Sequence, residues 1–249
     1  METKLNYKRT FLIGLAFLSI CSFWQMYDNI IPLILQNTYH LGETMTGAVM
    51  ALDNVLAIFL LPVFGTLSDK VHTKLGRRMP FIVAGTILSV IFMMLLPMID
   101  NAEKARWSTG ESFSNQVIFL AVLFFTLVSM GLYRSPAVAL MPDVTPNHLR
   151  SRANAVINLM GAVGGVYALI MIKVLVGKGE TPDYLPLFAS IAAVMVIAVG
   201  ILVITIRENK LREEVEKAET ANAGTIEEKA MAEGVEAAGE IEAVGDTGE

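Results

Sequence analysis

Six long apolar segments, separated by short polar ones, make up most of the chain. Each has roughly the 20 residues that a helix needs to cross about 30 Å of hydrocarbon. The pattern therefore predicts an all-α polytopic membrane protein whose six-helix bundle occupies residues 1–206. The predicted spans are residues 10–33, 45–67, 80–98, 116–140, 153–176 and 184–206.

After residue 206 the apolar pattern stops, and Glu, Ala and Gly predominate to the end of the chain. Low apolar content with many charges is typical of segments that do not pack a core. We expect residues 207–249 to be an acidic tail or linker that is largely disordered. Within it, residues 207–220 are expected to extend the last helix as a charged stalk.

The composition supports a membrane bundle and assigns the acidity to the tail. The chain is 54% hydrophobic, with a mean hydropathy of +0.55 and a net charge of −5. Residues 207–249 hold 13 of the 24 acidic and 5 of the 19 basic residues, which leaves the first 206 residues at +3. The negative charge therefore predicts neither a basic partner nor a nucleic-acid ligand.

Basic residues gather on one side of the predicted bundle. By the positive-inside rule, both termini then face the cytoplasm and the chain lies in the cell membrane. On the other side, residues 100–115 form a predicted external loop with Trp107 as an interfacial anchor. The basic residues of the cytoplasmic side are Lys4, Lys8, Arg9, Lys70, Lys74, Arg77, Arg78, Arg150, Arg152, Arg207, Lys210 and Arg212.

Residue types that carry metal or nucleophile chemistry are sparse. The single cysteine, Cys21, lies in an apolar run, and the three histidines, His40, His72 and His148, have no ligand spacing. No span combines a nucleophile with a base. We therefore expect no metal site, no cofactor and no enzymatic activity.

The first two spans carry polar side chains that are costly in lipid unless they face a cavity or a partner. They are Gln25, Asp28 and Asn29 in the first span, and Asp53 and Asn54 in the second. At 1.5 Å per residue, the two carboxylates lie roughly 8 and 12 Å below the outer helix ends. If they face each other, both cannot stay ionised, and one can exchange a proton near neutral pH. Alternatively, they form a static polar patch with the neighbouring asparagines.

The fourth and fifth spans add two further candidates, Arg134 and Asn158. Arg134 either binds a carboxylate or a polar substrate in the cavity, or the helix ends near Pro136 and the guanidinium reaches the interface. Asn158 lies at a comparable depth and is expected to line the same cavity. Gly161 and Gly165 share its helical face and predict close helix packing.

Two motifs resemble a known family. Between the second and third spans, the segment from Gly65 to Pro80 resembles the signature of major facilitator transporters, and its longer spacing is similar to the glycoside-pentoside-hexuronide:cation symporters, above all their sucrose-transporter-like branch. The residues that match are Gly65, Asp69, Lys70, Gly76, Arg77 and Arg78. The second match, before the fifth span, comprises Pro136, Ala139, Leu140, Asp143, Arg152, Ala153, Asn154 and Ala155.

This resemblance implies a gating role for the motif. The charges of the motif predict that Asp69 pairs with Arg77 or Arg78 and locks this corner. The resemblance implies in addition that Asp69 would face a helix N-terminus of a second half in the outward-facing state. Asp143 with Arg150 or Arg152 would make a similar latch.

Two positions depart from the pattern. Sodium-coupled members carry acidic residues before the second-span proline, whereas residues 57–61 have none, which disfavours that sodium site and favours protons or facilitated movement. Sucrose-type members carry an arginine where Val138 stands here.

The family has two six-helix halves, and this chain has one. The resemblance implies the N-terminal half of a transporter that moves a sugar or similar small polar solute by alternating access. From their place in the spans, Asp28 and Asp53 are the residues expected to couple transport to protons. Its second half would be a separate chain or another copy of this one. The alternatives are an exporter of a non-sugar organic solute, and an orphan half that acts as a membrane scaffold or regulator through its acidic tail.

Overall fold

The fold is known from a computed structural model, which describes residues 5–71, 73–109, 115–177, 179, 182–217 and 219–220. These residues form helices and no strand. Six of the helical stretches are long and apolar enough to cross a membrane, which confirms the predicted fold class. Residues 221–249, predicted to be disordered, lie outside the described part of the chain.

Among the described residues up to Thr205, seven α-helices follow one another. Their bounds are α1 Tyr7–Asn37, α2 Glu43–Met50, α3 Leu52–Lys70, α4 Met79–Thr109, α5 Gln116–Asp143, α6 Arg150–Leu175 and α7 Leu185–Thr205, with a short 3₁₀ turn at Asn147–Leu149 before α6.

Helix α1 lies at the centre of the bundle. It packs against α6 and α7, while α4 packs against α5 and α7. The buried face of α1 carries Phe23, Tyr27 and Ile31, which are at most 1% exposed. Helix α3 packs chiefly on α5, and the apolar window of the α2–α3 span contains no buried residue. The bundle therefore has one sparsely covered flank, formed by α3.

The second predicted span is interrupted, and the third is longer than predicted. A turn at Ala51 divides the second span into α2 and α3. Helix α4 continues to Thr109, so the predicted external loop at residues 100–115 is wrong for the part that the structure describes as helix. The extension is stabilised by polar contacts: Asp100 is fully buried and accepts hydrogen bonds from Thr38 (2.6 Å) and Lys104 (2.6 Å). Trp107 stacks on His40, with ring centroids 5.0 Å apart.

The segment after the last span does not continue that helix. Ile206 has an extended backbone (φ −96°, ψ 116°) and ends α7, so the predicted continuous stalk is wrong. Residues 208–217, here called the tail helix, are helical again. Leu211 and Val215 of this helix are buried, and Arg9 pairs with Glu214 at 3.3 Å. The tail helix therefore packs on the bundle.

Candidate substrate site and ion-pair network

A small cavity lies between α1, α3 and α5, and two of the polar candidates, Asp53 and Arg134, line it. Trp24, Asp53 and Arg134 line it together with aliphatic side chains. Its volume is about 20 Å³, enough for one water molecule. Typical ligand pockets hold roughly 300–1,000 Å³. The described residues therefore form at most one wall of a site for a small solute.

Arg134 belongs to this wall and not to the end of its helix. Helix α5 continues past Pro136 to Asp143, so the alternative in which the helix ends near Pro136 is wrong. The guanidinium carbon lies 5.5 Å from the centroid of the Trp24 ring, a cation–π distance. Trp24 also makes an edge contact with Tyr27, with centroids 5.4 Å apart.

The carboxylates of α1 and α3 lie on the same side of the bundle. Asp28 is exposed and Asp53 half-buried, and the two carboxylates interact electrostatically. Their amide neighbours make local hydrogen bonds: Asn29 donates to the Gln25 carbonyl (2.7 Å), and Asn54 donates to Asp53 (3.0 Å). The Asp53–Asn54 pair of the static alternative is thus present, and proton exchange between the two carboxylates stays a prediction.

Helix α6 presents glycines to α1 and leaves an amide exposed. A Cβ atom at Gly164 would overlap the Leu18 carbonyl oxygen, whereas one at Gly165 would meet Gln25 Oε1 at an ordinary 3.7 Å. At Gly161 it would lie 2.9 Å from Cys21 Sγ. The closest approach of α6 to α1 therefore falls at Gly164, next to Gly165 of the predicted pair Gly161 and Gly165. Asn158 is exposed on the same helix.

The motif residues form an ion-pair network at the end of the bundle where α3 ends and α4 begins, here called the basic end. Arg78 is 6% exposed and donates in three directions: to Asp69 (2.8 Å), Asp143 (2.8 Å) and Ser68 (2.9 Å). Arg77 pairs with Asp143 at 3.3 Å. A planar guanidinium can hold several acceptors in this way.

The partner predicted for Asp143 is different in the structure. Arg150 donates to the carbonyl groups of Pro142 (2.9 Å) and Thr145 (3.3 Å), and Arg152 is exposed. Helix α5 ends at Asp143, where its carboxylate meets both Arg77 and Arg78, so the start of α4 supplies the cations. Gly65, the first motif residue, lies where α3 approaches Ser135.

Two buried polar groups were not identified from the sequence. Tyr133 is fully buried, and its hydroxyl contacts Ser19 Oγ (2.6 Å) and the Ala16 carbonyl (3.1 Å), which joins α5 to α1. Glu208 is also fully buried and accepts hydrogen bonds from the backbone at the start of α4. The burial of Glu208 could not be predicted from the neighbouring sequence, because its hydrogen-bond partners lie about 130 residues away.

Six candidate membrane spans, a polar wall within them and a charged network at one end define a polytopic membrane protein. The family model of the Major Facilitator Superfamily matches residues 8–238, and the chain belongs to this superfamily. Transport, and not enzymatic chemistry, is the activity of this class.

The curated relatives support the resemblance to the sucrose-transporter branch. The chain is 35% identical to sucrose transport protein SUC4 of Arabidopsis thaliana over 116 residues, 44% of this chain and 22% of that protein. It is 26% identical to sucrose transport protein SUT3 of Oryza sativa subsp. japonica over 137 residues, 52% of this chain and 27% of that protein. The match thus spans about a quarter of the length of these relatives.

Proposed function

We propose that this chain is the N-terminal six-helix half of a transporter that moves a sugar or a similar small polar solute by alternating access. The observation that carries the proposal is the one-sided polar wall formed by Trp24, Asp53 and Arg134 within apolar spans. A second six-helix half, either a separate chain or another copy of this one, supplies the opposite wall.

The exposed polar residues support the need for a second half. Asp28, Asn29, Asn54 and Asn158 are exposed although they lie within candidate spans. In hydrocarbon each would be costly, so such residues face a water-filled cavity or another protein surface. The cavity of about 20 Å³ is also too small for a solute. A larger site forms if a second half faces this wall across a gap.

The chemistry of the wall fits a neutral polyol. Arg134 offers donors and Asp28 and Asp53 offer acceptors, so hydroxyl groups find both partners they need. The Trp24 ring supplies a flat apolar face. The relatives that carry the name sucrose transport protein favour a sugar over another polar solute.

The proposed energy source is a proton gradient. Asp28 and Asp53 are carboxylates within candidate spans, and carboxylates at such positions mark proton relays in transporters. In the same proposal, the network of Asp69, Arg78 and Asp143 acts as a gate at the basic end. The positive-inside rule assigns that end to the cytoplasm, with the chain in the cell membrane.

The test is uptake of labelled sucrose into membrane vesicles that contain this chain, with and without a co-expressed second six-helix chain. We expect saturable uptake that a proton gradient stimulates and that Asp28→Asn and Trp24→Ala abolish. Trp107→Ala is the matched control, since it removes the other tryptophan outside the wall. Uptake of a non-sugar organic solute in place of sucrose would contradict the sugar assignment, and the absence of uptake of either solute with every partner would overturn the transport proposal.

A further inference from the structure

The tail helix begins with a buried carboxylate that caps α4. Glu208 is 0% exposed, and its Oε1 accepts hydrogen bonds from the backbone N–H groups of Arg77 (2.9 Å) and Arg78 (3.1 Å). Its Oε2 accepts from Arg78 (3.0 Å) and Met79 (3.1 Å). Helix N-termini leave such groups without intrahelical partners, and a carboxylate there is favoured by charge as well as by hydrogen bonding.

Gly76 makes room for this carboxylate. Its φ of 128° is a backbone angle that residues with a side chain rarely adopt, and a Cβ atom at this position would overlap the carboxylate of Glu208. Glycine is the residue that tolerates both conditions. The motif glycine therefore has a local reason in this chain, namely the approach of a side chain from the segment after α7.

Further contacts hold the tail helix over the same loop. Asn209 donates from Nδ2 to the carbonyl groups of Thr73 (3.0 Å) and Lys74 (3.3 Å). Together with the buried Leu211 and the Arg9–Glu214 pair, these contacts anchor the tail helix on both α1 and the loop. The position of the loop thus depends on the position of the tail helix.

The residues that Glu208 holds by their backbone are those that form the ion-pair network by their side chains. We propose that Glu208 is a positioning residue that fixes Arg77 and Arg78 in the geometry in which they pair with Asp69 and Asp143. The segment after α7 then acts as a clamp on the network, and the network loosens when this segment is displaced. This inference goes beyond the proposed transport and does not depend on it.

Hydrogen exchange on the whole chain in lipid nanodiscs tests the cap directly. In Glu208→Ala we expect the amides of residues 77–79 to exchange at least about tenfold faster, with Glu208→Gln in between because its amide oxygen still accepts. Glu213→Gln is the matched control: it removes a carboxylate of the same helix that pairs only with Lys217 in the described contacts. Unchanged exchange at residues 77–79 in Glu208→Ala would overturn the inference.

A double-mutant cycle separates positioning from simple structural support. Asp143→Asn lowers the midpoint of thermal unfolding by removing a network partner, and we expect this shift to be at least halved in the Glu208→Gln background. Coupled residues show such non-additive effects, whereas independent ones add. Additive shifts would overturn the positioning role even if exchange at residues 77–79 increased. Glu208→Gln carries this arm because it retains an acceptor and most of the packing.

Discussion

The basic end and the polar wall each contain an arginine and nearby aspartates, but the two arginines differ in burial and in partners. At the basic end, Arg78 is buried and its guanidinium is held by Asp69, Asp143 and Ser68 within this chain. In the wall, Arg134 is half-buried and rests on the face of Trp24. The first arrangement is complete in one chain, while the second has polar groups that point away from the bundle core. A charged residue in a span is therefore informative only when its partners are known.

The largest expected effect comes from removing the buried arginine. Arg78→Ala leaves Asp143 without its closest cation and should lower the free energy of unfolding by about 3 kcal/mol. Arg134→Ala loses a partly exposed cation–π contact worth about 0.5–1 kcal/mol. Denaturant unfolding in detergent measures both, and Arg78→Lys, which keeps the charge but not the three-way geometry, should fall between them. Equal losses at the two positions would contradict the comparison.

Part of this contrast was predictable from the sequence. The hydropathy pattern predicted the six spans because about 20 apolar residues are needed to cross a bilayer. Pairing of Asp69 with Arg77 or Arg78 was predicted because these opposite charges lie at the end of the second span and the start of the third, and the structure pairs Asp69 with Arg78. The interruption at Ala51 and the extension of α4 beyond residue 98 were not predicted. The extension depends on Asp100, whose partner Thr38 comes from a different helix.

The site was less predictable than the fold. The polar residues of the wall stand out in apolar spans, yet the contact of Arg134 with Trp24 depends on how α5 packs against α1. The role of Glu208 depends on the extended backbone at Ile206, which ends α7, and on contacts about 130 residues away. Periodicity and local motifs carry no information on such long-range pairs.

Two adjacent glycines of α6 sharpen the contrast between closed and open surfaces. Gly164→Ala places a methyl group against the Leu18 carbonyl, in the closed seam with α1, and should cost about 1–3 kcal/mol. Gly165→Ala adds only an ordinary contact near Gln25 and should change stability by less than about 0.5 kcal/mol. Thermal unfolding of the two variants in detergent provides the comparison. A larger loss at Gly165 would mean that the seam lies on the other face of the helix.

The smallest expected change in stability comes from Asn158, an exposed amide of α6 that the sequence predicted to line the cavity. Asn158→Leu replaces an exposed amide on α6 by an apolar side chain of similar size, so the free energy of unfolding of this chain should change by less than about 0.5 kcal/mol. Sucrose uptake with a second half present should nevertheless fall severalfold, because in the proposed transporter the amide faces the solute. Unfolding in detergent and uptake into vesicles measure the two quantities on the same variant. A clear loss of stability would show that Asn158 supports the bundle of this chain, and undiminished uptake would contradict its proposed contact with the solute. A site that a second half completes predicts this separation of stability from transport at one residue. Its side chains contact the solute and the second half, and they contribute little to the stability of this chain.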